Sequence, residues 1–308
     1  MKILALISIV AIMLISGCKD DSETTQARAW EKVTSGTTEP LVTTFVSDNI
    51  GLFATDDIFR TTDGGTSWTK VFTSVSGKMF LSIKPVNASV IVAVGDNVMA
   101  KSIDGGATWN SVTLPIPSGT FWDVCGIDAN TLLVVEGSGK VYRSPDAGVN
   151  WTLAGSVPTP PLVYVNLASS NTAFASGSNG AILKTNNGGT SWTALNFTST
   201  EVVGVCFVSE QTGYSFEHNG KIRKTTDGGT TWTAQTSGVS TAIRAMAFVD
   251  ADNGFAVGDN GVILSTTDGG ATWTKNTTGT NGLLNSIAIT SSFVFVGGFN
   301  GLILKSDK

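Results

Sequence analysis

Histidine, cysteine and charge are the scarce ingredients of this 308-residue chain: one histidine, three cysteines and 14% charged residues. Each scarcity excludes a class of function. A lone histidine and unclustered cysteines offer no zinc-ligand spacing, so neither metal nor cofactor is expected. Nineteen basic residues against 24 acids leave no positive footprint for phosphates, which argues against a nucleic-acid partner. Polybasic runs for an anionic membrane surface are missing, and no window reads as a long amphipathic helix.

Glycine is what the chain has in quantity, 35 residues of it, spaced between short runs rich in Val, Ile, Phe and Thr. That pattern reads as strands joined by tight turns. The N-terminus stands apart. Lys2 is followed by "ILALISIVAIMLI", about the length of a secretory h-region and short for a membrane span. It ends in "ISGC", Ile15 to Cys18, which resembles the bacterial lipobox, where the cysteine is acylated and the peptide cleaved before it. The alternative is an ordinary signal peptide with a chance cysteine. The expected organisation is a lipoprotein signal peptide over residues 1–17, a polar tether over 18–29 with lipid on Cys18, and a folded unit over 30–308. Stable attachment to a bacterial membrane, on its periplasmic or cell-surface side, then needs more than one acyl chain. Removal of residues 1–17 leaves 18 basic and 24 acidic residues, a formal charge of −6.

One motif recurs six times. It reads "TTDGGTSW" ending at Trp68, "SIDGGATW" at Trp109, "SPDAGVNW" at Trp151, "TNNGGTSW" at Trp192, "TTDGGTTW" at Trp232 and "TTDGGATW" at Trp273, at spacings of 41, 42, 41, 40 and 41. A period near 40 with four short strands per unit predicts propeller blades. Asn-Gly pairs at 179, 219, 260 and 300 predict type I′ hairpins between second and third strands. The chain stops at "GLILKSDK" without an outermost strand, while "AWEKVTSG" around Trp30 matches one. The fold predicted is therefore all-β: a seven-bladed propeller with four-stranded blades, its ring closed by the N-terminal strand and no edge left free.

The pattern [ST]-x-[DN]-x-G-x-[ST]-W is the Asp-box, or BNR repeat, shared by sialidases, sortilin-like receptors and the photosystem II stability and assembly factor family. Its chemistry is that of a turn. Asp63, Asp104, Asp146, Asp227 and Asp268 are placed to accept backbone N–H bonds, glycines supply positive φ, and each tryptophan packs beneath its turn. Asn187 in place of aspartate argues against a catalytic acid. Every Gly-Gly is committed to this turn, so no phosphate-cradling loop remains. A basic residue stands three before the motif acid at Arg60, Lys101, Arg143, Lys184 and Lys224, with Lys305 nearly in register. These are either a basic rim for an anionic partner or solvated strand residues and partners of local acids.

Sialidases use three axial arginines, a tyrosine nucleophile with a glutamate partner, and an aspartate acid/base. Of the five arginines here only Arg244 begins an innermost strand, and no carboxylate pair at a recognisable spacing replaces the set. The chain is therefore not expected to be an enzyme. Cys125 and Cys206 hold equivalent inner-strand positions two blades apart and read as small core residues rather than a disulfide. On the face carrying the second-to-third strand turns, departures from the repeat bring together Phe121, Trp122, Tyr164, His218, Arg244 and Phe299. An aromatic cluster with one arginine is the expected partner-binding face. The alternative is that Trp122 and Tyr164 plug the channel or pack between blades.

The near-regular "G.ILKTTDGGTTW" blades, seven-fold closure and lipobox together resemble the photosystem II stability and assembly factor family in a bacterial lipoprotein branch, over roughly residues 30 to 308. The family's arginine-rich patch is not evident here. The resemblance implies a monomeric, non-enzymatic, membrane-anchored scaffold that binds a protein or membrane-protein complex, with a photosynthetic role only in a photosynthetic host. A carbohydrate-binding or sialidase-like surface lipoprotein is the first alternative, marked by an acidic pair facing an open axial pocket. A purely structural envelope component is the second.

Overall fold

The computed structural model describes residues 28–74, 77–112, 114, 118–158, 161–195, 197 and 202–308. Cys18, the signal peptide and most of the tether lie outside the described residues. Seven four-stranded antiparallel sheets surround an axis, six of them built from consecutive strands. The seventh combines Leu284–Ile289, Phe293–Gly298 and Leu302–Asp307 with the N-terminal strand Glu31–Thr34, as the two chain ends predict. Glu31 pairs with Lys305 and Thr34 with Leu302, so the closing strand runs antiparallel to the last one. Trp30 packs edge-on against Phe255 of the neighbouring blade.

Blade stacks on blade through apolar side chains that alternate between the two faces of each sheet. Aromatic pairs recur across these seams. Phe45 lies parallel to Phe295 at 3.5 Å between blades 1 and 7, and Phe174 to Phe207 at 3.4 Å between blades 4 and 5. Tyr214 and Phe248 repeat the arrangement at 4.3 Å between blades 5 and 6.

At one end of every blade but the last sits an Asp-box. In the fifth, the Thr225 hydroxyl donates to Asp227 at 2.8 Å and accepts from the Gly229 amide at 2.9 Å. Asp227 accepts from the Thr231 amide and hydroxyl at 2.8 and 2.6 Å, and the Trp232 indole donates to the Gly229 carbonyl at 3.0 Å. Both glycines take φ near +70° and +90°, the left-handed region that favours glycine. Asn187 supports the same turn, its oxygen accepting from the Ser191 amide at 3.0 Å. The hydroxyls of Ser67, Thr108, Thr231 and Thr272, with other donors in each turn, hold the carboxyls of Asp63, Asp104, Asp227 and Asp268 down at about 2. Asp146 is lowered in the same way, chiefly by the Asn150 amide.

The periodic basic residues have a different task from either one expected of them. Each reaches across the seam to the next blade's Asp-box and donates to its first small residue. Arg60 bonds the Gly105 carbonyl at 2.9 Å, Lys101 that of Ala147 at 3.2 Å, and Arg143 that of Gly188 at 2.8 Å. Lys184 bonds Gly228 at 3.1 Å and Lys224 bonds Gly269 at 2.7 Å. Blade 6 carries Ser265 at this position, and the blade after it has no box to reach. Lys305 resumes the series: its ammonium lies over the Phe293 ring at 3.7 Å, beside Gly64 of the first box. Positive charge here finishes a turn's hydrogen bonding.

Three of the four Asn-Gly turns have both residues at positive φ, as a type I′ turn requires: Asn179-Gly180, Asn260-Gly261 and Asn300-Gly301. In the fourth only Gly220 is left-handed. At the same end, the innermost strands of blades 2 to 7 share an irregularity. Pairing slips by one residue between Phe80 and Ser82, Phe121 and Asp123, Leu162 and Tyr164, Val202 and Gly204, Ile243 and Ala245, and Leu284 and Ser286. One residue per blade is thus a β-bulge, unpaired and re-aimed.

Candidate functional site: the axial mouth

The six bulged residues are Leu81, Trp122, Val163, Val203, Arg244 and Asn285, and all six line one cavity of about 860 Å³ at the axis. Every innermost strand contributes to its wall. A bulge re-aims its side chain, and repetition gathers these side chains into a ring around the cavity, with Val203 also kept in the core between blades 5 and 6. The turns around the mouth add His218 and Phe299, and Met79 adds a third apolar group. Trp122, Phe299 and Met79 are exposed by 39%, 41% and 37%, large apolar side chains left in water at a single opening.

Five of the six residues expected on a binding face line this cavity: Trp122, Tyr164, His218, Arg244 and Phe299. Phe121 does not. It is fully buried and packs with Val94, Met99 and Leu132 in the seam between blades 2 and 3. The bulge starts one residue later, so adjacent residues Phe121 and Trp122 part company, one to the core and one to the mouth. Tyr164 lines the cavity and also packs between blades. Its ring meets Phe216 edge-on at 5.4 Å and lies over Gly204, where a Cβ would collide with it. The Tyr164 hydroxyl donates to the Arg244 carbonyl of blade 6. Burial pushes that hydroxyl's titration well up.

Arg244 is held bidentately by Asp259, at 2.9 and 3.1 Å, which raises its already high pKa. The guanidinium is thereby fixed rather than free to sweep the opening. Deeper in, Asp123 is a charged residue that sequence patterning left unmarked. Its carboxylate is buried and accepts from Ser82 Oγ at 2.7 Å, Lys84 Nζ at 2.6 Å and the Val165 amide at 3.0 Å. Side chains from blades 2 and 3 thus cap the open edge of the inner strand of blade 4. Ser286 does the same for Thr43 and Asn166 for Phe207, at 3.1 and 2.7 Å. The signal for Asp123 was a carboxylate inside an otherwise apolar inner strand, two residues before Cys125.

Asp123 is the only carboxylate among the described residues that line the mouth, and it is paired. The acidic pair that would mark a glycosidase is not assembled there. A second cavity of about 550 Å³ lies at the opposite end of the inner strands and shares Lys84, Asn166, Cys206 and Met246 with the first. Cys125 and Cys206 are both free and buried, and burial raises their thiols to about 12, the state of inert core cysteines. At the mouth, the buried Asn285 Oδ1 has no hydrogen-bond partner. The opening therefore offers exposed apolar groups and a fixed cation.

Seven blades, six with Asp-boxes, and an axial mouth lined by bulges define an Asp-box propeller with an open axial cavity. The chain belongs to the family described as Photosynthesis system II assembly factor YCF48, whose sequence profile matches residues 22–159 and 234–308. No curated protein matches the sequence. Among solved structures, YCF48 bound to a D1 peptide shares 20% identity over 92% of this chain and 100% of that one, with a TM-score of 0.77. YCF48 from Cyanidioschyzon merolae shares 22% over 90% and 98%, with a TM-score of 0.73. Virginiamycin B lyase from Staphylococcus aureus shares 14% over 91% and 99%, with a TM-score of 0.77. At such identities the likeness is one of fold.

Proposed function

We propose that this protein is a monomeric, non-enzymatic scaffold, exported and held to a bacterial membrane by lipid on Cys18, that binds an extended segment of a protein or membrane complex in its axial mouth. The observation that carries this reading is the mouth itself: three exposed apolar side chains, Trp122 from the bulge ring with Met79 and Phe299 beside it, open on one cavity next to a fixed arginine. Aromatic anchors and arginine are the groups that dominate protein interfaces. The family supports a protein ligand, since one YCF48 structure holds a D1 peptide. A photosystem partner follows only if the host is photosynthetic. The lone, already paired carboxylate in the mouth supports a non-catalytic role.

The test is co-purification from detergent-solubilised host membranes, comparing the lipidated protein with a Trp122→Ala, Arg244→Ala, Phe299→Ala variant of unchanged thermal stability. A complex retained by the first and lost by the second is the expected result. Equal recovery by both, or recovery of nothing specific, would overturn binding at the mouth.

A further inference from the structure

The closing strand fixes the end of the disc at which the chain enters the propeller. Glu31 pairs with Lys305 near the end of the last strand, and Thr34 with Leu302 beside the turn that carries Phe299. The chain therefore enters the propeller at the Asp-box end and runs toward the mouth. Arg28 is pinned there, its guanidinium donating to the Asp307 carbonyl and lying 5.0 Å over the Phe255 ring. Only ten residue steps separate Arg28 from Cys18. Fully extended they span at most about 35 Å.

Opposite ends of the blades are separated by the inner strands, six residues long in most blades, or about 20 Å before the turns are added. A tether that starts at the Asp-box rim uses most of its reach in passing the disc edge. The Asp-box end is also acidic. Asp63, Asp104, Asp146, Asp227 and Asp268 are exposed or half-exposed there, with Asp128 and Asp250 in neighbouring hairpins. Of the cations at this end, Arg60, Lys101, Arg143, Lys184 and Lys224 are engaged by carbonyls, and Arg28, Lys305 and Lys308 lie at the closing blade. An acidic face does not adsorb on anionic lipid, yet its repulsion fades within a Debye length of about 8 Å at physiological ionic strength. It sets a gap rather than turning the disc over.

We infer that the Asp-box face is the membrane-proximal side of this protein and that the mouth opens away from the bilayer, so its ligand is a hydrophilic tail or loop that projects past the disc. This rests on the lipid anchor at Cys18 proposed above. A transmembrane helix, confined to the bilayer, does not reach the mouth. A partner segment must extend more than about 20 Å beyond the surface, on the order of six residues of extended chain.

The full lipidated protein is reconstituted into phosphatidylcholine vesicles bearing a headgroup nitroxide quencher. A fluorophore is placed either at the Asp-box face through Val149→Cys or at the mouth through Phe299→Cys. Both positions are exposed, and the buried thiols of Cys125 and Cys206 are poor labelling targets. Severalfold stronger quenching at 149 than at 299 is expected, persisting in vesicles with anionic lipid. Equal quenching, or stronger quenching at 299, overturns the orientation while leaving the anchor intact. Failure of the unlabelled protein to float with vesicles, as Cys18→Ser would fail, removes the anchor and the orientation together.

Discussion

The two ends of each blade are built on opposite plans from one continuous set of strands. At the Asp-box end, six turns repeat one hydrogen-bonding scheme, and at five seams a cation from the preceding blade bonds a carbonyl of the box. At the mouth, six bulges repeat the same backbone slip but present five different side chains: leucine, tryptophan, valine twice, arginine and asparagine. Repetition at one end stabilises; at the other it repeats only the backbone and leaves the side chains free to differ. Binding residues are expected where the chain stops copying itself.

The sharpest way to break this contrast is to remove one tryptophan from each end. Trp109, buried under its Asp-box with its indole on the Gly106 carbonyl at 3.1 Å, should cost about 3–5 kcal/mol on replacement by alanine. Trp122→Ala should stay within about 0.5 kcal/mol of the parent while lowering partner affinity at least tenfold. Urea unfolding and a binding titration read the two quantities separately. A large stability loss from Trp122→Ala would show that the mouth is part of the core.

Asp123 is a mouth residue expected to behave like the Asp-box end. Asp123→Ala strands a hydroxyl, an amide and the Lys84 ammonium, and should cost about 3 kcal/mol in denaturant titrations. Lys84→Met should cost less, since Lys84 is 40% exposed and water takes over part of its role. Smaller again are the staples: Lys224→Met is expected to lose about 1 kcal/mol, and Ser265→Lys to gain nothing, because no box faces it. If Ser265→Lys stabilises the protein as strongly as Lys224 does, the cations act through general charge rather than through carbonyl bonding.

The smallest effect is in acid. Box carboxyls at about 2 are depressed below their unfolded values near 4, so their contribution is full above pH 4 and is lost as pH falls from there toward 2. Thermal midpoints should be flat with respect to these groups between pH 7 and 5 and decline below 4. Asn187→Asp should steepen that decline slightly, by adding a further carboxyl of the same kind.

Most of the fold could be read from the sequence because it is periodic: blade number, Asp-box chemistry and ring closure all follow from self-similarity. The mouth was legible only in part. Trp122, Arg244 and Phe299 stand out as departures from the repeat, but Phe121 beside Trp122 looks the same in one dimension, and only a bulge separates their directions. Leu81, Val163 and Asn285 carried no signal, since a bulge is a property of strand pairing and leaves no mark on composition. The bridging cations were visible as a periodicity, yet their targets lie some 45 residues onward, in the next turn. Contacts across a seam depend on how blades stack, which the repeat alone does not state.

The bulge ring gives the molecule something like a combination lock with six dials. Each dial is a single position outside its partner strand's ladder, open at Trp122 and stiff at Val203, which the core of blades 5 and 6 also holds. Propellers of nearly identical backbone can then recognise unrelated ligands, and divergence in this lineage should gather at 81, 122, 163, 203, 244 and 285 while the disc around them stays still.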